Sequence, residues 1–436
     1  MEEDLSQRTL FSLDRTLNFL HDLKKEDYLR VAASVDSSTN LNKNGDIKFQ
    51  INQTSNPLNL GEAFFYYKIK LSGFVADSTV TLENNFFPRM FENMRLQLGS
   101  SEIENINNCG EFSSMLNFVM FDRSTAEIYG ESIGWVPDIN KGDTDNSNFK
   151  IRQELYQGNG KLKACQEYKF EGRFPLKTLF GFLENYNRVV FLLPINIILN
   201  RKLADEDILY GTGTRAGAAA VKPTGKVELE SLELWIPELT VNPRSEVSLL
   251  ERLNKDKPVS VNFLNRNGTT NELAAGSTNI SWKVSLTNSR PRYILVAFKD
   301  LTTSIEKNNS LFIQKDGANA ITSLRVQINN SYYPINKMEF DAVGNKQMEP
   351  YLAYVKMCKE FNVIPQLNIR DFKNLYSIFC FDVSAQDEKL SINGCDITVH
   401  ITKSTNFKAK AYCLILEEKH CQIQIKNGKM FTVEML

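Results

Sequence analysis

Histidine is nearly missing from this chain, with three residues, His21, His400 and His420, among 436. General acid–base chemistry draws on histidine first. None of the three lies in a triad or H-E-x-x-H context, so no hydrolase is readable. Long apolar runs are missing too: the longest, around Val189–Leu199, is broken by Pro194 and Asn196 and falls short of the roughly 18 residues of a membrane helix. Charge of one sign is absent. With 51 basic and 52 acidic residues the net charge is -1, which argues against a dominant electrostatic partner such as bare nucleic acid or an anionic membrane. The seven cysteines (Cys109, Cys165, Cys358, Cys380, Cys395, Cys413, Cys421) are odd in number and scattered, which argues against a disulfide framework. Met1–Asp4 is acidic with no apolar core behind it and does not read as a signal peptide. A reducing compartment is therefore expected, with the sequons at Asn52, Asn267, Asn279, Asn308 and Asn329 left bare.

Local motifs of chemistry dissolve on inspection. Cys395, His400, Cys413, His420 and Cys421 come nearest to a metal cluster, but Cys395 and His400 are five positions apart on one strand and face opposite ways. They read as core thiols and ordinary histidines. "GTGTRAG" (Gly211–Gly217) has the wrong glycine spacing for a dinucleotide loop and no helix after it, so it reads as part of a surface loop, Asp205–Thr224. The pairs Glu417-Glu418 and Asp205-Asp207 read as solvated carboxylates. "NSRPRYILVAFKD" (Asn288–Asp300) reads as a strand flanked by exposed charge rather than an RNA-stacking platform. No catalytic, cofactor-binding or metal-ligating residue is assigned, and no cofactor is expected.

What is abundant is sheet-forming material: 28 Phe and 11% aromatic residues in 49.8 kDa, enough for two or three domains. Apolar residues alternate at Tyr67-Ile69-Leu71, Met94-Leu96-Leu98, and over Val189, Phe191, Leu193, Ile195, Ile197 and Leu199. After Pro243 the pattern resumes at Trp282-Val284-Leu286, Leu324-Val326-Ile328, Phe379-Phe381-Val383 and Ile397-Val399-Ile401. This period of two predicts strands. A phase jump between Leu229 and Leu232 predicts a β-bulge. Short helices are expected at Phe86–Met94, from Phe174, and from Met348, where Tyr351, Val355 and Cys358 share a face. Strands following strands argue for antiparallel sandwiches.

Three echoes point to a repeated module. "RLQLGSSEIE" (Arg95–Glu104) returns as "RVQINNSYYP" (Arg325–Pro334), 230 residues on; "LKTLF" (Leu176–Phe180) as "FKNLY" (Phe372–Tyr376); "INIILN" (Ile195–Asn200) as "CDITVH" (Cys395–His400). The offset shrinks to about 200, so the first module carries an insertion, placed at Asp138–Lys161. The expected organisation is an N-terminal arm over 1–45, with an amphipathic helix at Leu10–Leu23 (Leu10, Leu13, Leu17, Leu20) and a polar tether at Ala33–Gly45; a first module over 46–243; and a second over 244–436.

The second half resembles a known family. "SWKVSLTNSRPRYILVAFKD" (Ser281–Asp300), "FDVSAQDEKLSINGCDITVHI" (Phe381–Ile401) and "AYCLILEEKHCQIQIKNGKMFTV" (Ala411–Val433) resemble strands of the major capsid proteins of Polinton/Maverick elements and adintoviruses. "FPLKTLFGFLENYNRVVF" (Phe174–Phe191) and "LELWIPELTVNP" (Leu232–Pro243) are similar to its first-half segments. The chain departs from the pattern at Ala385 and Lys299, where that family usually has Lys and Gln.

The resemblance implies an all-β double jelly roll: two tandem eight-stranded sandwiches with a few short helices and an N-terminal helical arm. It implies a capsid role in the virion of a double-stranded DNA virus or element, after synthesis in the host cytoplasm and with assembly there or in the nucleus. Three copies would form a pseudo-hexameric capsomer that tiles an icosahedral shell. Partners would be the chain itself (a homotrimer, then neighbouring capsomers) with penton and minor capsid proteins, and no specific nucleic-acid site. A carbohydrate-binding jelly roll, marked by an exposed aromatic platform, and a non-assembling host protein derived from an integrated element are the rival readings.

Overall fold

The computed structural model describes residues 23–435 apart from 36–39, 44, 53–55, 74–79, 140–146, 158–165, 191, 206–207, 212–224, 244–245, 248–250, 252–257, 288–289, 302–311, 313–319, 342–345, 386–394 and 427–428. The helix expected at Leu10–Leu23 and most of the loop Asp205–Thr224 therefore lie outside the described residues.

Alternating apolar residues become strands along the whole chain. The first half forms β1 (Leu23–Ala32), β2 (Ser34–Val35), β3 (Asp46–Ile51), β4 (Leu58–Asn59), β5 (Phe64–Ser72), β6 (Val80–Leu82), β7 (Phe91–Leu98), β8 (Ser101–Asn107), β9 (Tyr168–Pro175), β10 (Val189–Val190), β11 (Ile195–Arg201), β12 (Leu209–Gly211) and β13 (Lys226–Val241). Two antiparallel sheets result, ordered β1-β13-β5-β9 and β3-β11-β7-β8. Strand β4 pairs with β13 and β10 with β4, β2 adds to β3, and β6 and β12 form a separate pair. The second half forms β14 (Val259–Leu273), β15 (Asn279–Thr287), β16 (Arg290–Asp300), β17 (Ile321–Ile328), β18 (Ser331–Glu339), β19 (Ile378–Asp382), β20 (Cys395–Lys403), β21 (Ala409–Lys426) and β22 (Lys429–Met435). Its sheets are β14-β21-β16-β19 and β15-β20-β17-β18, with β22 paired to the far end of β21.

The two halves match strand for strand. Reading β1, β3, β5, β7, β8, β9, β11, β13 against β14 to β21 reproduces both sheet orders, so the fold is a double jelly roll of two eight-stranded sandwiches. The first echo is one hairpin made twice, β7–β8 and β17–β18, and the third is the neighbouring strand, β11 and β20. The second echo is not equivalent, since Leu176–Phe180 follows β9 whereas Phe372–Tyr376 precedes β19.

Several expectations need correcting. The arm does not extend to residue 45: β1 pairs with β13 from Leu23↔Val241 to Ala32↔Glu233, as β14 pairs with β21. Half-buried Leu29 and Val31 pack on the first core, which anchors this charged stretch as a strand. The tether is pinned too, because the Asn42 side chain accepts from the Leu229 N–H (2.7 Å) and donates to its carbonyl (3.1 Å). The apolar run at Val189–Leu199 is two strands, separated where Leu192 takes φ 54° ahead of Pro194. The bulge in β13 falls where expected, between Leu229 and Ser231.

Helices fill connections. These are α1 (Phe86–Arg89), α2 (Cys109–Met120), α3 (Arg123–Ile133), α4 (Ser147–Gln157), α5 (Gly181–Asn185), α6 (Met348–Glu360) and α7 (Ile369–Asn374). Helices α2 to α4 lie between β8 and β9, and α6 and α7 between β18 and β19. The expected insertion is anchored to the first sandwich where it is described. Arg152 of α4 is buried and reaches the Leu82 (3.1 Å) and Val136 (2.6 Å) carbonyls and Asp138 (2.9 Å). No helix among the described residues is long and apolar enough to cross a membrane.

Candidate functional site at the joint between the sandwiches

Each sandwich fills its own interior, but three apolar clusters exist rather than two. One fills the first sandwich and one the second, while the third lies between them, built from α2 on one side and β16, β21, α6 and α7 on the other. Strand β21 explains how. Ala409, Ala411, Cys413 and Ile415 point into the second sandwich, alternate residues Tyr412, Leu414 and Leu416 point out into the joint, and Cys421 and Ile423 continue into the first core. One strand with two apolar faces serves three clusters, which is why it reads as a nearly continuous apolar run.

The joint has three parts. Helix α2 lies on the outer face of β14-β21-β16-β19, with Phe112 edge-on to Tyr412 (6.1 Å) and Phe118 against Tyr376 (4.3 Å). Polar bonds fix that placement: the Tyr354 hydroxyl donates to the Phe118 carbonyl (2.9 Å), Gln366 donates to the Asn117 and Phe121 carbonyls (2.7 and 2.9 Å), and Trp135 Nε1 donates to Gln366 (3.0 Å). The second part is an edge contact. Strand β8 runs beside β14, and Val261 and Phe263 of β14 join the first core, Phe263 meeting Phe182 at 5.4 Å. Buried Glu104 of β8 accepts from the Gly181 and Phe182 N–H groups (3.1 and 2.8 Å), which open α5 and would otherwise lack helical partners. Burial pushes its carboxyl above the ordinary range against the attraction of Arg266. Arg266 of β14 in turn pairs with Glu184 of α5 (2.6 Å).

The third part is ionic. Glu111 of α2 accepts from Lys299 of β16 (2.9 Å) and Arg89 of α1 (3.0 Å), all three almost completely buried. Burial alone would raise the Glu111 carboxyl, but Lys299 and Arg89 outweigh it and hold it well below the usual value. Lys299 is one of the two positions at which the chain departs from the resembling pattern, and here it supplies the cation that crosses between sandwiches. Two glycines permit this closeness. A Cβ on Gly181 would stand 1.9 Å from the Leu264 carbonyl oxygen, and one on Gly268 would stand 2.2 Å from the Phe112 ring.

The residues weighed from sequence are dispersed. Cys395 and Cys413 lie in the second core and Cys421 in the first. His400 sits between Gln327 (2.7 Å) and Ser281 (3.0 Å), and His420 bonds Asn262. Among the described residues no group of three His, Cys, Asp or Glu is placed to hold a metal ion. Glu417, expected in solvent, is buried and accepts from Asn265 (3.4 Å) and Asn267 (3.2 Å), because it lies on the inward face of β21 between Ile415 and Cys421, while Glu418 turns out to Arg292. Asp205, expected in a loose loop, is bonded to Arg201 (3.0 Å) and to the Val227 N–H (2.9 Å).

Two outward faces stand out for what they expose. On the first sandwich, Tyr28, Phe64, Tyr66 and Trp235 form a patch with ring centroids 5.1–5.7 Å apart, and the Arg30 guanidinium lies 4.0 Å over Trp235. On the second, Tyr332 and Ile335 of β18 and Met348 and Leu352 of α6 are exposed. Beside them a cleft of about 270 Å³ is lined by Tyr333, Met338, Ala353 and Phe381.

The model of the double jelly roll-like domain family matches residues 153–421. No curated protein sequence matches the chain. Among solved structures, the chain superposes on a chain of the Sputnik virophage with TM-score 0.65 at 11% identity, covering 98% of this chain and 91% of that one. The mavirus major capsid protein gives 0.60 at 12% identity, covering 99% and 93%. The capsid of PBCV-1 virus gives 0.58 at 9% identity, covering 97% and 99%. At such identities the likeness is one of fold.

Proposed function

We propose, from the premise that this chain belongs to the double jelly roll-like domain family, that it is a structural major capsid protein whose copies join as homotrimers and tile a shell enclosing double-stranded DNA. The segments quoted from Phe174 to Val433 favour the capsid proteins of Polinton/Maverick elements and adintoviruses as its kind. The observation that carries the reading is the extent of the likeness. Both sandwiches and their joint are shared with chains such as the mavirus major capsid protein over 99% of this chain and 93% of that one, so the unit compared is the whole tile. A tile needs its two sandwiches held rigidly, and the buried joint supplies that.

Light scattering coupled to size exclusion is expected to report three times 49.8 kDa, with electron microscopy showing ring-like particles. Obligate contacts between copies of this kind bury on the order of 2,000–5,000 Å². A strict monomer at micromolar concentration overturns the reading.

The leucine stripe at Leu10, Leu13, Leu17 and Leu20 adds a second expectation. A lone helix of about 14 residues is marginal in water, so its stripe needs a partner. The stripe is acidic in its surroundings and poorly suited to DNA, which favours protein: a neighbouring capsomer or a minor capsid protein. Leu13→Asp with Leu17→Asp is expected to spare the trimer and weaken shell formation, read as particle yield. Unchanged yield removes the stripe from assembly, and loss of the trimer assigns it to the subunit.

A further inference from the structure

We propose that the joint inside the chain is repeated between copies: the β18 edge and outer face of α6 of one copy seat on β1 and the aromatic face of the first sandwich of the next. This rests on the capsomer reading above and assigns its contact residues.

The strand correspondence generates the proposal. Within the chain, the β8 edge and the β8–β9 connection of the first sandwich meet the β14 edge and the outer face of β14-β21-β16-β19. Under the one-to-one match, β8 corresponds to β18 and β14 to β1. The elements left over are therefore β18 with the β18–β19 connection, and β1 with the outer face of β1-β13-β5-β9. Both carry large apolar side chains in solvent: Ile335 (83% exposed), Met348 (56%) and Leu352 (54%) on one, Tyr28 (44%) with half-buried Phe64, Tyr66 and Trp235 on the other. Isolated exposed apolar residues mean little, but contiguous groups mark contact sites.

Shape and composition agree. The ladder between β17 and β18 jumps from Val326↔Tyr333 to Leu324↔Met338, so Pro334–Lys337 bulge from the sheet edge with Ile335 on the projection. The adjoining cleft is lined by Glu349, Glu360, Asp382 and Lys356, the last paired with Asp382 (3.1 Å), and on the aromatic face Arg30 lies over Trp235 while Glu233 and Glu171 bond Trp235 and Tyr66. Trp, Tyr and Arg together are the composition of an interface centre. The rings are tilted 34–48° around Trp235 apart from their edge-on pairing, and Arg30 occupies one face of that indole. No shared plane is left for a sugar ring, which sets a protein occupant above a carbohydrate. Because the two faces differ, the contact is head-to-tail and can close a ring.

The test places photoreactive benzoylphenylalanine at position 352 and irradiates the purified oligomer. Adducts between copies are expected in peptides containing Tyr28 or Trp235. In parallel, Met348→Asp with Leu352→Asp, and separately Tyr28→Asp, are expected to weaken self-association at least tenfold by sedimentation, with circular dichroism unchanged. If a variant misfolds, the photo-adduct decides, since an exposed position tolerates the probe. An oligomer that survives both variants, or adducts confined to other surfaces, overturns this joint and leaves the capsomer reading standing. A monomeric parent overturns both. Capture on a glycan array that is lost in Trp235→Ala while the oligomer persists assigns the aromatic face to carbohydrate instead.

Discussion

Glu111→Ala is expected to destabilise the protein by about 3–5 kcal/mol, because removing one partner of a buried ion pair strands the other. Here two cations would be stranded, Lys299 and Arg89, each almost completely buried. The melting temperature should fall by about 3–5 °C. Glu111→Gln keeps the shape but not the charge and should lie between the two. Adding Lys299→Gln to Glu111→Gln removes one of the stranded charges and should recover part of the loss; no recovery would show that the two residues are not coupled. The same pair sets an acid limit. The folded value of Glu111 is depressed, so its stabilisation is present above the ordinary glutamate value of 4.5 and is lost as the pH falls through the folded value. The groups acting on it are Lys299 and Arg89 at contact distance, with Lys202 at longer range. In the Glu111→Gln variant the acid-side decline in melting temperature should be shallower than in the parent.

Gly181→Ala is expected to be nearly as damaging, at about 3 kcal/mol. Its added Cβ would stand 1.9 Å from a backbone oxygen, that of Leu264 in β14. Backbone in a paired strand cannot swing aside as a side-chain tip can. The first turn of α5 would be pushed off β14, loosening the two bonds that Glu104 accepts from it. Gly268→Ala meets a ring instead, 2.2 Å from Phe112, and should be milder because a ring can tilt. Differential scanning calorimetry on both variants tests the ranking. A Gly181→Ala protein that melts within about 2 °C of the parent would mean that α5 is not clamped against β14.

How much of this was legible depended on which physical signal each element carried. Strands with one face in a core announced themselves by alternation, as in Ile195-Ile197-Leu199 and Ile397-Val399-Ile401, all buried. The repeat was legible wherever a strand occupies an equivalent place, and misleading at Leu176–Phe180, where a short apolar turn resembled another by composition alone. Strand β1 was missed because Lys24, Lys25, Glu26 and Asp27 obscure a strand whose inward residues, among those described, are Leu29 and Val31. Helix α2 was missed because it is buried on every side, with Glu111, Ser113, Ser114 and Asn117 covered as fully as Phe112 and Phe118, so no apolar stripe stands against a polar face. The joint itself left no local pattern. Its ionic partners, Glu111 and Lys299, stand far apart in sequence, and the only hint was that Lys299 departs from the resembling pattern. Gly181 and Gly268 likewise look ordinary until the opposing strand and ring are in place.

The route of β21 also sets the order in which the protein can be made. Val261 and Phe263, then Cys421 and Ile423, complete a first core whose other members lie between Ile47 and Ile236. A ribosome delivering about 5–20 residues per second releases the last two roughly 10–30 s after the first pair. Through that interval the leading sandwich waits with an open flank at β8, exposed to proteases, chaperones and other nascent copies. Vectorial synthesis thus gives the amino-terminal sandwich no head start to a finished state: both sandwiches close together, once β21 has been delivered.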